Sequence, residues 1–572
     1  MAKAIDFKDQ QDLPLRVALW TLTATLALSC GLDLFFFSGF FASDDIGYLA
    51  GAWNVLNGEQ YASSPPLSMI RLTMTGWNTL IAWLFGYHVQ GIAGSYIFFH
   101  QLVIVCTFVL ARRMHDNAVA VLASFWMATT SLAVTFSTAI LPDLPLAAFV
   151  LAALLLFQWP YARGAARSAG ASFAAIFAAG VCVGLGYMAK ESSLILLPYF
   201  FVFWICNEWG RPKSRALLHG IAFLAGFGAV FAAEWAILSH LTGHSYFRMG
   251  WTVGENQFDG ALRKFPDGYY PLERLFRLRD KIAPWFEITR LHYALAAGAL
   301  AYPFVQGRRW AVWTLGLWFF VYHTWGSTRL SDYLPTSLQP RYFIPVMPFL
   351  FIMLSFLAVK AWRALPRWIA APRATGAIQG MLTLVLFLYP LLSLCVSDKM
   401  AGKIYRADFV NVSYRAIQAA QAAGDRPVVL SRTIGHRLTT FLKERDRTGV
   451  VRYQDCAYTR DRAPLLETGF YYVEVYPNRQ LQYILLTGGV DPLLQPVIQA
   501  VPDEHLSDPA PQTRELGVVE IDGRPGVFRR LRRFDNPHRR SEAVLKQMFP
   551  GFHCRPDSDV RSAYLYEWTP LN

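Results

Sequence analysis

The chain has 572 residues, of which 54% are hydrophobic, 15% aromatic and only 16% charged, with a formal net charge of +13. Soluble domains carry about 25% charged residues, so this composition excludes an ordinary soluble enzyme, and apolar runs long enough to cross a bilayer recur over the first two-thirds. In a polytopic membrane protein the basic excess reads as topology signals and attraction to anionic lipid; no nucleic-acid-binding motif competes, so no nucleic-acid partner is expected.

The chain starts with a short polar segment, MAKAIDFKDQQDLPLR, and then an apolar run from Leu15 to about Phe41. That run is too long for a signal-peptide core and no small-residue cleavage site follows, which predicts a retained first helix. Apolar length predicts spans at 15–39, 91–111, 117–137, 142–159, 171–189, 192–207, 216–239, 291–306, 310–326, 341–360 and 376–396, about eleven transmembrane helices in all. The segment 69–86 carries Arg71 and several polar residues and reads as a juxtamembrane helix. Gly180 and Gly184 form a small-xxx-small pair, which predicts close helix packing. Of the seven cysteines, only Cys456 and Cys554 fall in polar sequence, where pairing is open if that part lies outside the cytosol.

Arg112 and Arg113, Arg163 and Arg167, Arg211 with Lys213 and Arg215, Arg308 and Arg309, and the stretch from Lys360 to Arg373 all fall in alternate loops. Placing those loops inside satisfies the positive-inside rule. The expectation is an integral plasma (inner) membrane protein with a cytoplasmic N-terminus, external loops at 42–90 and 240–290, and an extracytoplasmic C-terminal part. The loop 240–290 is itself basic, with Arg263, Lys264, Arg274, Arg277, Arg279 and Lys281; the rule weakens in long loops, and an anionic ligand is the other reading. With this topology Asp44 and Asp45, Asp143, Lys190 with Glu191, and Arg341 fall at one outer face. Charges there cost less than the about 2.5–3.5 kcal/mol of a charge at mid-bilayer.

Near Ser397 the character changes. RPVVLSR, TGVVRYQ, FYYVEVY, LGVVEI and GVFRRLRRF read as strands, and HRLTTFLKER, NRQLQYILL and SEAVLKQMF as helices. The alternating periods predict an α/β domain over 397–572, after a transmembrane domain over 1–396.

No Walker A loop, GxGxxG after a strand, HExxH or CxxC occurs. Nucleotide hydrolysis and a cysteine-rich metal site therefore lack support. His240 and His244 are four apart, but two residues do not make a metal site, and Gly243 is placed to end the helix between them. No metal site and no cofactor is assigned; a divalent cation is left open.

The stretch FASDDIGYLAGAWNVLNGEQYASSPPL, from Phe41, resembles the GT-C glycosyltransferases that use polyprenyl-phosphate sugars. The nearest pattern is the group of protein O-mannosyltransferases and lipid A aminoarabinose transferases, whose first external loop carries Asp-Glu-x-x-Tyr, an Ala-rich helix, Gly and a Pro turn. Here the run is Asp44, Asp45, Tyr48, Ala50, Ala52, Gly58 and Pro65-Pro66. AILPDLPLAAF with Asp143, GLGYMAKESSLILLPYF with Lys190 and Glu191, and QPRYFIPVMPFL with Arg341 and Tyr342 follow in order, so the resemblance covers about residues 15–396. It implies a GT-C-like membrane fold and transfer of a sugar from a polyprenyl-phosphate donor to an extracytoplasmic lipid, glycan or protein acceptor, with inversion.

The resemblance makes Asp44 the catalytic carboxylate and Asp45 its helper, and places Tyr48, Arg71, Asp143, Lys190, Glu191, Arg341 and Tyr342 around the substrates. Two departures matter: Asp45 stands where the family usually has Glu, and Ser63 and Ser64 stand where many members have Lys or His before the Pro. Donor-phosphate contact then falls to Arg71, Lys190 or Arg341. The residue types suit the chemistry. A carboxylate that activates an acceptor contributes about 10²–10⁴ in rate, and cations stabilise a departing phosphate. The alternatives are a transporter or flippase of lipid-linked sugars, which should carry mid-membrane charges and an internal repeat, and a non-catalytic binder of the lipid carrier.

Overall fold

A computed structural model describes residues 12–39, 41, 44–61, 65–161, 168–208, 213–245, 248, 271–282, 291–306, 311–326, 338–369 and 371–396. Beyond these it describes 412, 414–420, 422–424, 426, 428–430, 450–452, 470–475, 514–521, 524–535 and 562–571. The chain divides into two compact units: Met1–Phe37 with Gly51–Met400, and Ser38–Ala50 with Ala401–Asn572. Sequence alone had put residues 38–50 with the membrane part.

The first unit is helical. Its helices are α1 (Leu15–Phe35), the later part of α2 (Asp45–Asn57), α3 (Leu72–Phe85), α4 (Val89–Ser95), α5 (Ile97–Met114), α6 (Asn117–Thr129) and α7 (Ser131–Phe136). They continue as α8 (Asp143–Gln158), α9 (Ala169–Ala189), α10 (Leu196–Glu208), α11 (Lys213–Thr242), α12 (Pro271–Ile282), α13 (Leu291–Gln306), α14 (Ala311–Trp325), α15 (Met347–Trp368) and α16 (Pro372–Val396). Seven stretches among the described residues are long and apolar enough to cross a membrane, beginning with Leu15–Phe35 and ending with Pro372–Leu394. All eleven predicted segments contain helix. The expected count of about eleven spans is therefore met by seven stretches of spanning length among the described residues.

The predicted span 117–137 is two helices. Thr130 takes extended dihedrals (φ −73°, ψ 129°) and interrupts the ladder between α6 and α7. α6 starts where Asp116 caps it, its carboxylate accepting from the Val119 N–H at 3.0 Å. The segment 69–86 holds helix α3, as predicted. Gly180 and Gly184 bear on helix packing. A Cβ on Gly180 would overlap the Phe223 carbonyl of α11, one on Gly184 the Val230 side chain, and one on Gly226 the Phe177 carbonyl of α9. Only hydrogens let these two backbones approach so closely.

In the second unit a six-stranded mixed sheet has the order β2-β1-β3-β6-β5-β4. The strands are β1 (Val428–Leu430), β2 (Val450–Arg452), β3 (Phe470–Val475), β4 (Arg514–Ile521), β5 (Arg524–Asp535) and β6 (Ser562–Pro570). β1 pairs parallel with β2 and β3, and the remaining pairs are antiparallel. The five predicted strands are present. The sixth, SAYLYEWTP, was not predicted, and it sits between β3 and β5. Ile521 pairs with Arg524 at the end of the β4–β5 ladder. The three predicted helices of this part, and Cys456 and Cys554, lie outside the described residues.

Candidate active site

Three elements of the first unit bring ionisable side chains together where helices begin or end. α8 opens on Asp143, directly after Pro142, so a carboxylate stands at the positive end of a helix. α9 ends at Ala189, and Lys190 turns extended (φ −159°, ψ 134°) before a 3₁₀ turn over Glu191–Ile195. A second 3₁₀ turn, Pro340–Phe343, carries Arg341 and Tyr342 ahead of α15. Lys190 Nζ donates to Asp143 Oδ1 at 2.6 Å. Arg341 Nε stands 3.6 Å from Asp143 Oδ2, which among the described residues accepts no hydrogen bond. The Lys190 ammonium also lies 3.3 Å from the centre of the Tyr342 ring, a cation–π contact.

The extended backbone at Lys190 sends Glu191 to other partners. Arg71, at the N-terminus of α3, donates to Glu191 Oε2 at 2.8 Å. Arg248 Nη2 donates to Glu191 Oε1 at 2.6 Å, and its Nη1 donates to Glu234 of α11 at 2.6 Å. Arg248 is further held by the Tyr187 carbonyl at 2.8 Å and stacks on the Tyr187 ring at 4.6 Å. Burial by itself disfavours the Arg248 cation, but Glu191 and Glu234 outweigh it and hold the guanidinium above its usual range. Four cations, Arg71, Lys190, Arg248 and Arg341, thus meet three carboxylates, Asp143, Glu191 and Glu234.

The structure therefore brings together Asp143, Lys190, Arg341 and Tyr342, and joins Arg71 and Glu191 to them through the Lys190–Glu191 backbone. Arg248 and Glu234 were missed. Glu234 had a readable signal, since it is an ionisable residue inside the predicted span 216–239. Arg248 had none, being one arginine in a polar loop.

Asp44, Asp45 and Tyr48 belong to the second unit. Asp45 is the first residue of α2 and fully buried, and its Oδ2 accepts from the Phe41 N–H at 2.6 Å. Asp44 sits one residue earlier in a turn and is half-buried, its carbonyl accepting from the Gly47 N–H at 3.2 Å. Tyr48 is fully buried. At the His240/His244 pair, α11 ends at Thr242, and Gly243 follows with φ +72°. Among the described residues no three His, Cys, Asp or Glu side chains group as metal ligands.

With this geometry in hand, the profile of the dolichyl-phosphate-mannose–protein mannosyltransferase family matches residues 74–235. That match covers well under half of the chain. The matched stretch contains Asp143, Lys190, Glu191 and Glu234, while Arg71, Arg248 and Arg341 lie outside it. Among solved structures, the chain is similar to the apo oligosaccharyltransferase of Archaeoglobus fulgidus. Identity is 13% and the TM-score 0.50, covering 80% of this chain and 69% of that one. It is also similar to ArnT from Cupriavidus metallidurans in the apo state, at 15% identity and TM-score 0.47, covering 83% and 96%. The same ArnT bound to undecaprenyl phosphate matches at 14% identity and TM-score 0.47, covering 84% and 96%. No curated protein sequence matches the chain.

Proposed function

We propose that the protein transfers a sugar from a polyprenyl-phosphate carrier to an acceptor outside the cytosol, with inversion at the anomeric carbon. The observation that carries this reading is the Asp143–Lys190–Arg341 cluster, two cations around one carboxylate, two of its three members inside the stretch that matches the mannosyltransferase family. A sugar linked to a lipid through one phosphate is a phosphodiester with a single negative charge. Lys190 and Arg341 bind the donor phosphate and stabilise it as it departs, Arg341 through its planar fork. Asp143 keeps both cations compatible with burial until the phosphate arrives. Arg71 is oriented by Glu191, which Arg248 holds in turn.

Asp44 is the catalytic carboxylate in this reading. It takes the proton of the acceptor hydroxyl or amine while the anomeric carbon is attacked from the face opposite the phosphate. Asp45, committed to the Phe41 N–H, holds the start of α2. No nucleotide enters, because the carrier brings the sugar already activated. Purified protein given a polyprenyl-phosphate sugar and envelope glycolipids should release polyprenyl phosphate and glycosylated product. Mass spectrometry of envelopes with and without the chain should show one mass class lost. Movement of the lipid-linked sugar across the bilayer with no phosphate released would support the flippase instead.

A further inference from the structure

Helix α12, PLERLFRLRDKI, presents two unlike faces. Arg274 and Leu278, one turn apart, are buried at 3% and 5% exposure. Arg274 Nε donates to the carbonyl of Thr324 in the last turn of α14, so a cation meets one of the carbonyls that a helix C-terminus leaves without an intrahelical partner. That bond fixes α12 at the end of α14. On the other face Leu272, Leu275, Phe276 and Arg279 recur at i, i+3, i+4 and i+7, and all are exposed. The three apolar side chains show 73%, 40% and 60% of their surface, far more than solubility favours for neighbours on one stripe. Arg277 is paired with Glu273 at 2.8 Å on the flank. The helix carries Arg274, Arg277, Arg279 and Lys281 against Glu273 and Asp280.

We infer that α12 is a lipid-docking helix that lies in the headgroup layer of the membrane, with Leu272, Leu275 and Phe276 entering the acyl boundary and the exposed Arg279 meeting anionic phospholipid. Two observations select lipid over other occupants. The stripe stands at the end of a helix with exposed apolar side chains, because α14, to whose end α12 is tied, itself exposes Leu317, Trp318 and Val321. In an integral membrane protein such side chains face lipid. The charge is also complementary, since a basic amphipathic helix is attracted to anionic headgroups at about 1 kcal/mol per residue near the surface. Arg279, placed on the apolar stripe, reaches outward along its aliphatic stem to the phosphates.

The test uses the full chain in nanodiscs of phosphatidylcholine and of an equimolar mixture with phosphatidylglycerol. A photoreactive benzoylphenylalanine replaces Phe276, or separately Leu272, and as a control Val518, which is 63% exposed in the second unit. The two α12 positions should give lipid adducts by mass spectrometry, and the control should give none. Adduct yield at Phe276 should be higher in the phosphatidylglycerol discs, and Arg279→Ala should cut that preference about fivefold. Adducts joining two copies of the chain, or no lipid adduct at both α12 positions, would overturn the assignment. Equal yields in the two disc types would overturn its charge-based half. None of these readouts depends on sugar transfer.

Discussion

Arg248 Nη1 donates to Glu234 Oε1 at 2.6 Å, with only 1% and 4% of the two side chains exposed. The pair ties Arg248, six positions beyond the end of α11, to the interior of that helix, and the other edge of the guanidinium holds Glu191. Arg248→Ala would leave two carboxylates without this partner. Breaking a buried pair from one side costs about 3–5 kcal/mol. Thermal unfolding in detergent should show a lowered midpoint for Arg248→Ala, partly restored by adding Glu234→Gln. An unchanged midpoint for the single variant would mean that the network contributes nothing to the fold.

Gly226 and Gly228 lie two residues apart on α11 and should respond in opposite ways. A Cβ on Gly226 meets the Phe177 carbonyl of α9, whereas one on Gly228 meets nothing within reach. Gly226→Ala should destabilise by about 1–3 kcal/mol through overpacking. Gly228→Ala should be neutral or stabilise by up to about 1 kcal/mol through helix propensity. Equal midpoints for the two variants would refute the close crossing of α9 and α11.

Arg341 and Lys190 are assigned to the donor phosphate. Arg341→Lys keeps the charge and loses the fork, so turnover should fall while expression holds. Arg341→Ala should weaken donor binding in detergent by about tenfold or more, the size of one charge-assisted hydrogen bond. Donor affinity that survives Arg341→Ala would remove the residue from the phosphate site.

Asp44→Asn is close to isosteric and separates chemistry from helix capping. Normal expression, retained donor binding and a transfer rate lower by about 10²–10⁴ are expected. Asp45→Asn should act mainly on stability, by about 0.5–2 kcal/mol, the size of a side-chain bond to a backbone N–H near a helix start, because its carboxylate holds the Phe41 N–H four residues before α2. Transfer near the wild-type rate in Asp44→Asn with none in Asp45→Asn would exchange the two roles.

Topology is checked with a reporter active only outside the cytosol. Fused after Ser397 it should be active, and after Arg167 it should be silent, because the arginine-rich loops alternate. The reverse pattern would refute the orientation and, with it, transfer to an external acceptor.

Apolar run length and the placement of ionisable residues at run ends determined much of this protein from sequence. The long apolar helices of the first unit, helix α3, five strands of the second unit, and Asp143, Lys190 and Arg341 were readable, because bilayer thickness and strand period act on neighbours in the chain, whereas α12 in the polar loop 240–290 was not. Sequence order could not pair those residues. Asp143 meets Lys190 and Arg341 only because α8, the end of α9 and the turn before α15 converge. Strand β6 escaped notice because its place between β3 and β5 is decided by partners distant in sequence. The same holds for Asp33 of α1 and His100 of α5, each fully buried and 2.9 Å apart, with the Met127 carbonyl 3.3 Å from the far ring nitrogen. Either residue alone is an unwelcome charge or dipole inside an apolar run. Desolvation makes each costly by itself and acceptable only beside the other, and that proximity is a property of the packed helices alone.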